Sequence, residues 1–282
     1  MEKAKLSNGV EIPLEGFGVF QIPDLDQCKQ AVLDAINAGY RLIDTATYYH
    51  NEEAVGAAIK ECGIPRDQLF IVSKVWPQDA GYENTKIAFE TSLNKLGLDY
   101  LDLYLVHQPF GDYYGSWRAL QELYEAKKVR AIGVSNFYPD RLLDLCLNVK
   151  IIPHVNQVEC NPFFQRVKEI EIMKEYNILM EAWAPLAEAR FGIFENETLK
   201  KIAANHNKTV AQIILRWNTQ RGIVVLPKSV HKERIEENFN IWDFKLTDEE
   251  MGEIAKLDKG HSQICNHYDP AYVKKLNNAK VH

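Results

Sequence analysis

The sequence predicts an α/β fold, a (β/α)₈ TIM barrel, and three observations support this. Eight short apolar runs, each too short for a helix, are typical of buried strands. Segments with helical periodicity separate them at the spacing of repeated strand–helix units. No tract rich in Pro, Gly or Ser divides the chain, so we predict one domain over residues 1–282.

The eight predicted strands should lie side by side in chain order. Strands that are connected through helices become parallel neighbours, and eight in series favour a closed barrel over an open sheet. The predicted strands span residues 16–20, 41–44, 69–74, 101–107, 131–136, 154–159, 178–185 and 223–229.

Two elements precede the second strand. Asn8-Gly9 stands between apolar positions, which predicts a β-hairpin within residues 5–13 that closes the bottom of the barrel. Residues 26–40 have their apolar side chains at helical spacing, and Gly39 supplies a stop signal. We therefore expect the first barrel helix to end there.

Extra helices are predicted near the C-terminus. The longest gap between strands holds two helical patterns, at 197–204 and 209–219, and a loop at 186–196 that we expect to cover a ligand. Thr247 and Glu250 form a capping box that opens a further helix up to residue 257. Residues 258–282 are predicted to be irregular.

Composition excludes several classes of function. The net charge is −6, and 33 basic residues are interspersed with 39 acidic ones, which excludes nucleic acid as a partner. No apolar run approaches the roughly 20 residues of a membrane span, and the first residues lack the apolar region of a secretory signal. The five cysteines are an odd number without C-x-x-C pairs. We predict a cytoplasmic protein, a monomer or weak dimer, without a membrane contact.

Polar side chains end several of the predicted strands, where a barrel of this kind has its active site. Asp44 and Lys74 end neighbouring strands and can pair, and His107 ends the next one. A tyrosine beside Lys74, either Tyr48 or Tyr49, should have its pKa lowered below the ordinary value of about 10 and could donate a proton. The structural alternative is an ion pair with packed aromatic rings around it.

Several motifs together resemble those of the aldo-keto reductase family. The resemblance runs from Gly16 to about Asp258, and no single motif would be specific. The motifs are GFGVFQ at 16–21, RLIDTATYYHNEEAVGA at 41–57, SKVW at 73–76, LVHQP at 105–109, GVSNF at 133–137, NQVE at 156–159, WAPL at 183–186 and LPKSVHKERIEENF at 226–239.

The resemblance implies NADPH-dependent reduction of aldehydes or ketones by a catalytic tetrad. Tyr49, selected by the family spacing Asp-x₄-Tyr, would donate the proton, and Lys74 would lower its pKa. Asp44 would hold Lys74, and His107 would orient the carbonyl substrate.

Reduction also needs a hydride, which no side chain supplies, so a cofactor is implied. The sequence lacks a complete G-x-G-x-x-G motif and a P-loop. Lys228 and Ser229 follow the eighth strand, and Arg234 lies one turn into a helix expected near residue 230. From the residues alone this is equally a phosphate site at a helix N-terminus or a solvated basic patch.

The resemblance implies further contacts to NADP and to the substrate. Lys228, Ser229 and Arg234 would bind the 2′-phosphate, with Glu237 and Asn238 at the adenine. Trp183 would stack on the nicotinamide, although simple core packing would also explain it. The nicotinamide carboxamide would be held by Ser135, Asn136 and Gln157, and an apolar substrate wall would be formed by Phe20, Trp76 and Tyr113, with His107 beside it.

Some features depart from the family or favour other functions. Gln108 and Phe20 stand where many members have tryptophan. A non-catalytic NADP-binding barrel is the main alternative, and a barrel isomerase with Glu159 as base would explain only the basic site. The tail motif of His261, Cys265 and His267 matches no common zinc pattern, so we predict no metal.

Overall fold

The protein forms a barrel of parallel strands preceded by a hairpin, as seen in a computed structural model that describes residues 2–282. The hairpin strands are antiparallel, and the eight barrel strands are parallel and follow chain order. The strands are β1 (Lys3–Lys5), β2 (Glu11–Pro13), β3 (Gly16–Gly18), β4 (Leu42–Asp44), β5 (Phe70–Val75), β6 (Leu101–Val106), β7 (Val129–Ser135), β8 (Val155–Glu159), β9 (Leu179–Trp183) and β10 (Val224–Val225).

The barrel closes between its first and last strands. Glu15 and Val225 form a parallel bridge, in which the Val225 amide donates to the carbonyl of Leu14 over 3.0 Å. The Gly18 amide donates to the Pro227 carbonyl, also over 3.0 Å. These contacts complete the ring of strands, so the predicted (β/α)₈ barrel is confirmed.

The N-terminal hairpin covers the bottom of the barrel. Leu6, Ile12 and Leu14 are buried against side chains from the lower ends of the strands, among them Leu42 and Phe70. This burial removes apolar surface from water at the end opposite the strand carboxyl ends. The hairpin predicted from Asn8-Gly9 is therefore present where it was expected.

Eleven helices surround the barrel within residues 2–282. Gly39 ends the first with a left-handed φ of 118°, and the capping box of Thr247 and Glu250 is formed. The helices are α1 (Leu25–Ala38), α2 (Glu52–Glu61), α3 (Tyr82–Leu96), α4 (Tyr113–Glu125), α5 (Pro139–Asn148), α6 (Val167–Glu175), α7 (Glu197–His206), α8 (Val210–Gln220), α9 (Lys232–Phe239), α10 (Asp248–Ala255) and α11 (Pro270–Asn278).

The tail is not irregular throughout, so that prediction was wrong. Asp269 caps α11 and Pro270 occupies its first turn. The helix has little apolar surface of its own, and Leu276 packs with Trp76 and Val281. The sequence of α11 predicts the helix only weakly, because packing on the barrel stabilises it more than its own residues do.

No helix formed by residues 2–282 is both long and apolar enough to cross a membrane.

Candidate active site

Asp44 and Lys74 form a buried ion pair at the carboxyl ends of two neighbouring strands. The parallel register of β4 and β5 pairs Asp44 with Val72, so Lys74 lies two residues further along the neighbouring strand. Lys74 is fully buried, and its Nζ donates to Asp44 Oδ1 over 2.6 Å and to the Thr45 carbonyl over 2.9 Å. A buried ammonium is stable only with such partners. The pair predicted from the two strand ends is therefore formed.

The geometry separates the two candidate tyrosines. A short 3₁₀ turn after β4 carries both, and Lys74 Nζ lies 3.3 Å from the hydroxyl of Tyr49. Tyr48 instead stacks on Trp76, with ring centroids 3.9 Å apart and planes inclined by 12°. The structure brings Tyr49, and not Tyr48, to the ion pair.

The expected direction of the Tyr49 pKa was wrong. Burial raises the pKa of Tyr49 to about 12, and the charge of Asp44 raises it further, although Lys74 lowers it. The sequence showed the lysine but not the depth at which the phenol lies, and burial disfavours the phenolate. Tyr49 is thus protonated at neutral pH and has a proton to give.

His107 lies beside Tyr49 as a neutral ring. The two ring centroids are 5.6 Å apart, in an edge-to-face arrangement. Burial lowers the pKa of His107 well below its ordinary range, and the charge of Lys74 adds to this effect. Its Nδ1 is buried without a hydrogen-bond partner in the structure. A neutral imidazole beside the phenol can orient a carbonyl oxygen between them.

The side-chain amide of Gln157 links the ion pair to a second buried carboxyl group. Its Nε2 donates to Asp44 Oδ2 over 2.9 Å and to Glu181 Oε2 over 2.7 Å. Burial, together with the charge of Asp44, raises the pKa of Glu181 to about 8. The polar core of the barrel top therefore extends across the barrel from β4 to β9.

Ser135, Asn136 and Trp183 lie together at the ends of β7 and β9. Asn136 has a left-handed backbone, with a φ of 62°. Its side-chain nitrogen donates to the His107 carbonyl over 3.0 Å, and its oxygen accepts from Trp183 Nε1 over 2.9 Å. Ser135 Oγ donates to the Gln157 carbonyl over 2.9 Å. The half-buried Trp183 ring is thus held at the barrel mouth.

The basic residues after β10 are exposed. Lys228 and Arg234 form no ion pair among the contacts of residues 2–282, and Ser229, the residue after Lys228, is buried. Arg234 lies in the first turn of α9, which starts at Lys232, two residues later than predicted. This arrangement leaves two cations free beside a helix N-terminus, a favourable place for an anion.

The two residues expected at the adenine lie on α9. Glu237 accepts a hydrogen bond from the Thr209 hydroxyl over 2.9 Å, and Asn238 is buried. Glu237 therefore also connects α9 to the start of α8.

The three aromatic residues expected in the substrate wall are placed differently. Phe20 is 43% exposed, and its ring lies 4.9 Å from that of Tyr49. Trp76 is buried but lies 5.0 Å from the His107 ring. Tyr113 is buried, and its ring contacts are with Tyr114 and Phe137. The contacts support Phe20 and Trp76 as wall residues and give no support for Tyr113.

Sequence reasoning missed the role of the tail histidine. His267 Nε2 lies 2.9 Å from Gln108 Oε1, and its Nδ1 lies 3.3 Å from the Tyr138 hydroxyl. Among residues 2–282, no group of three or more His, Cys, Asp or Glu side chains could hold a metal ion. His267 instead links the tail to the strand end that carries His107, and the polar Gln108 after that strand was the available signal.

Glu181 was missed as well. It lies in the middle of a buried strand, between Met180 and Ala182. A lone acid inside an apolar strand is itself a signal, because an unpaired buried carboxylate is costly.

Comparison with known proteins agrees with this geometry. The chain matches the sequence model described as the Aldo/keto reductase family over residues 16–259. It is 50% identical over 256 residues to a Trypanosoma cruzi 9,11-endoperoxide prostaglandin H2 reductase (90% of each chain) and 49% identical over 259 residues to a Bacillus subtilis glyoxal reductase (92% of this chain, 93% of the relative). A Bombyx mori aldo-keto reductase in complex with NADP superposes with a TM-score of 0.90 at 33% identity, covering 99% of both chains.

Proposed function

Because the chain belongs to the aldo/keto reductase family, we propose that Tyr49 protonates the carbonyl oxygen of its substrate, a small aldehyde or ketone. NADPH-dependent reduction of carbonyl compounds is the activity of this enzyme. The observation that carries the assignment of Tyr49 is the 3.3 Å contact between its hydroxyl and the buried ammonium of Lys74.

The residues at the barrel mouth fit NADPH. Lys228 and Arg234, which form no ion pair within residues 2–282, offer positive charge to the 2′-phosphate, and Ser229 follows Lys228 in the chain. Asn136 presents its side-chain amide beside the half-buried ring of Trp183. Ser135 donates to the backbone carbonyl of Gln157, and the side-chain carbonyl of Gln157 is left for the nicotinamide carboxamide. Glu237 and Asn238 lie further along the same helix for the adenine end. NADPH, when bound, supplies the hydride for the reduction.

The chain's own groups handle the proton. Tyr49 is protonated at neutral pH because burial raises its pKa to about 12. As negative charge develops on the carbonyl oxygen, the Tyr49 hydroxyl donates its proton, and the ammonium of Lys74 stabilises the resulting phenolate. Asp44 holds Lys74 in place. The neutral His107 orients the carbonyl oxygen toward the phenol.

We assign small 1,2-dicarbonyl compounds as the preferred substrates. A relative that covers nearly the whole chain is named glyoxal reductase. The wall on one side is the exposed Phe20, and on the other side Tyr48 and Trp76 are covered by the C-terminal helix. This cover narrows the mouth and favours small substrates.

The test is to measure the reduction of a panel of substrates through the loss of NADPH absorbance. The same rates are measured with NADH as cofactor. We expect kcat/KM for glyoxal and methylglyoxal to exceed that for a bulky aromatic aldehyde by about tenfold or more. Equal or reversed values would contradict the substrate assignment. A prostaglandin endoperoxide belongs in the panel because another relative is named for that activity.

We further infer that residues 1–282 form one domain, and that the protein acts in the cytoplasm as a monomer or weak dimer that does not bind nucleic acid. The interspersed charges and a family match over most of the chain support this.

A further inference from the structure

Glu181 is a fully buried acid in the middle of the barrel. The register of β8 and β9 places it opposite Gln157. Its Oε2 accepts one hydrogen bond, from Gln157 Nε2, and its Oε1 has no partner in the structure. A half-satisfied buried carboxyl group costs free energy, so its position calls for a compensating role.

Asp44 and Glu181 together fix the orientation of the Gln157 amide. Both N–H groups of Gln157 are used, one by Glu181 and one by Asp44. Rotating the amide by half a turn would place its carbonyl oxygen against the Asp44 carboxylate, which pairs with Lys74 and has no proton to donate. The carbonyl oxygen of Gln157 is therefore directed away from both acids.

The side-chain amide of Gln157 also holds Asp44 in its ion pair with Lys74. Asp44 uses Oδ1 for Lys74 and Oδ2 for Gln157, so its carboxylate is held from two sides. Lys74 in turn contacts the Tyr49 hydroxyl. A continuous line of hydrogen bonds thus joins Glu181 to the phenol on the other side of the barrel.

We propose that Glu181 is a positioning residue for carbonyl reduction, which holds the Asp44–Lys74–Tyr49 line through Gln157 while protonated and weakens it when ionised. The inference rests on the role proposed above for Tyr49. It predicts that reduction slows on the alkaline side for a reason that lies outside the tetrad.

The charges around Glu181 set the direction of this effect. Asp44 faces it from β4, Lys74 from β5 and Tyr49 from the turn after β4, while Gln157 on β8 is neutral. Its register partner on β10 is Val224, which carries no charge.

Ionisation of Glu181 places a second negative charge beside Asp44. Burial raises the pKa of Glu181 to about 8, so the group is protonated at neutral pH and loses its proton above that value. The charge then raises the pKa of Tyr49 further. A weaker acid donates its proton more slowly.

Glu15 provides a matched control for the removal of a buried acid. This acid is also fully buried, and burial raises its pKa to about 8 as well. Its Oε1 accepts from the Tyr40 hydroxyl over 3.0 Å, at the closure of the barrel and away from the tetrad. Any effect of removing a buried acid as such should appear in both variants.

The decisive experiment compares pH profiles of kcat/KM for the wild type, Glu181→Gln and Glu15→Gln at saturating NADPH. In the wild type and Glu15→Gln, we expect kcat/KM to fall by up to about tenfold per pH unit above about pH 8. In Glu181→Gln this decline should be absent, with activity at pH 7 within about threefold of the wild type. A decline in Glu181→Gln at the same pH as in the wild type would overturn the proposal.

A second measurement does not depend on activity or on the folding of Glu181→Gln. Infrared spectra of the wild type and of Glu15→Gln, without cofactor, should each contain a protonated carboxyl band that disappears through about pH 8. If no such band remains in Glu15→Gln, the proposal is wrong. Should Tyr49→Phe remain fully active while the band titrates as expected, the role of Tyr49 fails and Glu181 still ionises as described, so the two failures are distinguishable.

Discussion

Two networks of buried charged side chains lie at opposite ends of the barrel, and they differ in how many cations face their carboxyl groups. At the bottom, Asp102 on β6 forms an ion pair with Arg66 over 2.7 Å and accepts hydrogen bonds from Arg130 over 2.6 Å and from the Ile71 amide over 2.8 Å. We call these residues the base network. Its carboxylate is fully engaged, and both arginines reach solvent.

The polar group at the top has fewer cations for its carboxyl groups. We call Asp44, Tyr49, Lys74, Gln157 and Glu181 the top network. It holds two carboxyl groups against the single ammonium of Lys74, and Glu181 Oε1 has no partner among residues 2–282. A buried atom without a partner also occurs in the base network, at Arg66 Nε. The difference teaches that an excess of buried carboxyl groups over cations, more than incomplete hydrogen bonding itself, distinguishes the reactive end of this barrel.

The largest expected effect is on the top network. Tyr49→Phe removes the proton donor and should lower kcat/KM by about 10²- to 10⁴-fold, with little change in thermal stability or NADPH affinity. Tyr48→Phe is the matched control, because Tyr48 stacks on Trp76 and, among residues 2–282, the hydrogen bonds of Lys74 Nζ go to Asp44, Thr45 and Tyr49. It should retain activity within about threefold. Full activity of Tyr49→Phe in the NADPH assay would remove Tyr49 from the mechanism.

In the base network we expect a loss of stability without a loss of activity. Asp102→Asn leaves two arginines without their carboxylate and should lower the free energy of unfolding by about 3 kcal/mol, the low end for a buried pair because both arginines reach solvent. Activity per folded molecule should not change. Glu11→Gln, which removes an exposed pair with Lys3, should cost at most about 0.5 kcal/mol in the same denaturant titration. A similar loss of unfolding free energy in both variants would contradict the distinction between the buried ion pairs of Asp102 and an exposed ion pair.

A third test concerns the free cations at the barrel mouth. Replacing Lys228 and Arg234 together by glutamine should weaken NADPH binding by about 10- to 100-fold, because charge-assisted contacts to the 2′-phosphate are lost. NADH affinity should hardly change. Lys232→Gln is the control, because Lys232 is exposed and lies within 4.0 Å of Glu236. Equal loss for both cofactors, measured by fluorescence titration, would show that the phosphate lies elsewhere.

The smallest expected effect concerns the tail that covers the top. Gln78 accepts from the Val281 amide over 2.7 Å and donates to the His282 carbonyl over 3.1 Å. Gln78→Ala should loosen the tail by about 1 kcal/mol, measured as faster amide exchange in α11. Gln30→Ala, which removes an exposed contact with Asp34, should leave that exchange unchanged. Unaltered exchange in Gln78→Ala would mean that Trp76 holds the tail by itself.

Much of the fold and of the site was predictable because the signals were local. Strand length and spacing indicated the barrel, and Asp44, Lys74 and His107 stood out as polar ends of apolar runs. The choice of Tyr49 over Tyr48 needed either family spacing or coordinates, because both follow Asp44 within one turn.

The rest depended on contacts between distant parts of the chain. The direction of the Tyr49 pKa is set by how deeply the fold buries the phenol, which local sequence does not encode. The role proposed for Glu181 depends on its hydrogen bond with Gln157, which lies on another strand. Helix α11 packs on Trp76, about 200 residues earlier in the chain, so its own sequence gave little notice of it.

The closure of the barrel affects how the stability of the protein depends on pH. Its last strand, β10, has only two residues, and Glu15 lies in the seam beside it with a pKa raised to about 8. Since the folded protein holds that proton up to higher pH than the unfolded chain does, stability is lost as pH rises from about 4.5 to about 8. Raising the pH from mildly acidic to about 8 should therefore weaken the seam between the first and last strands, and this loss of stability is complete at about the pH where the decline in carbonyl reduction begins.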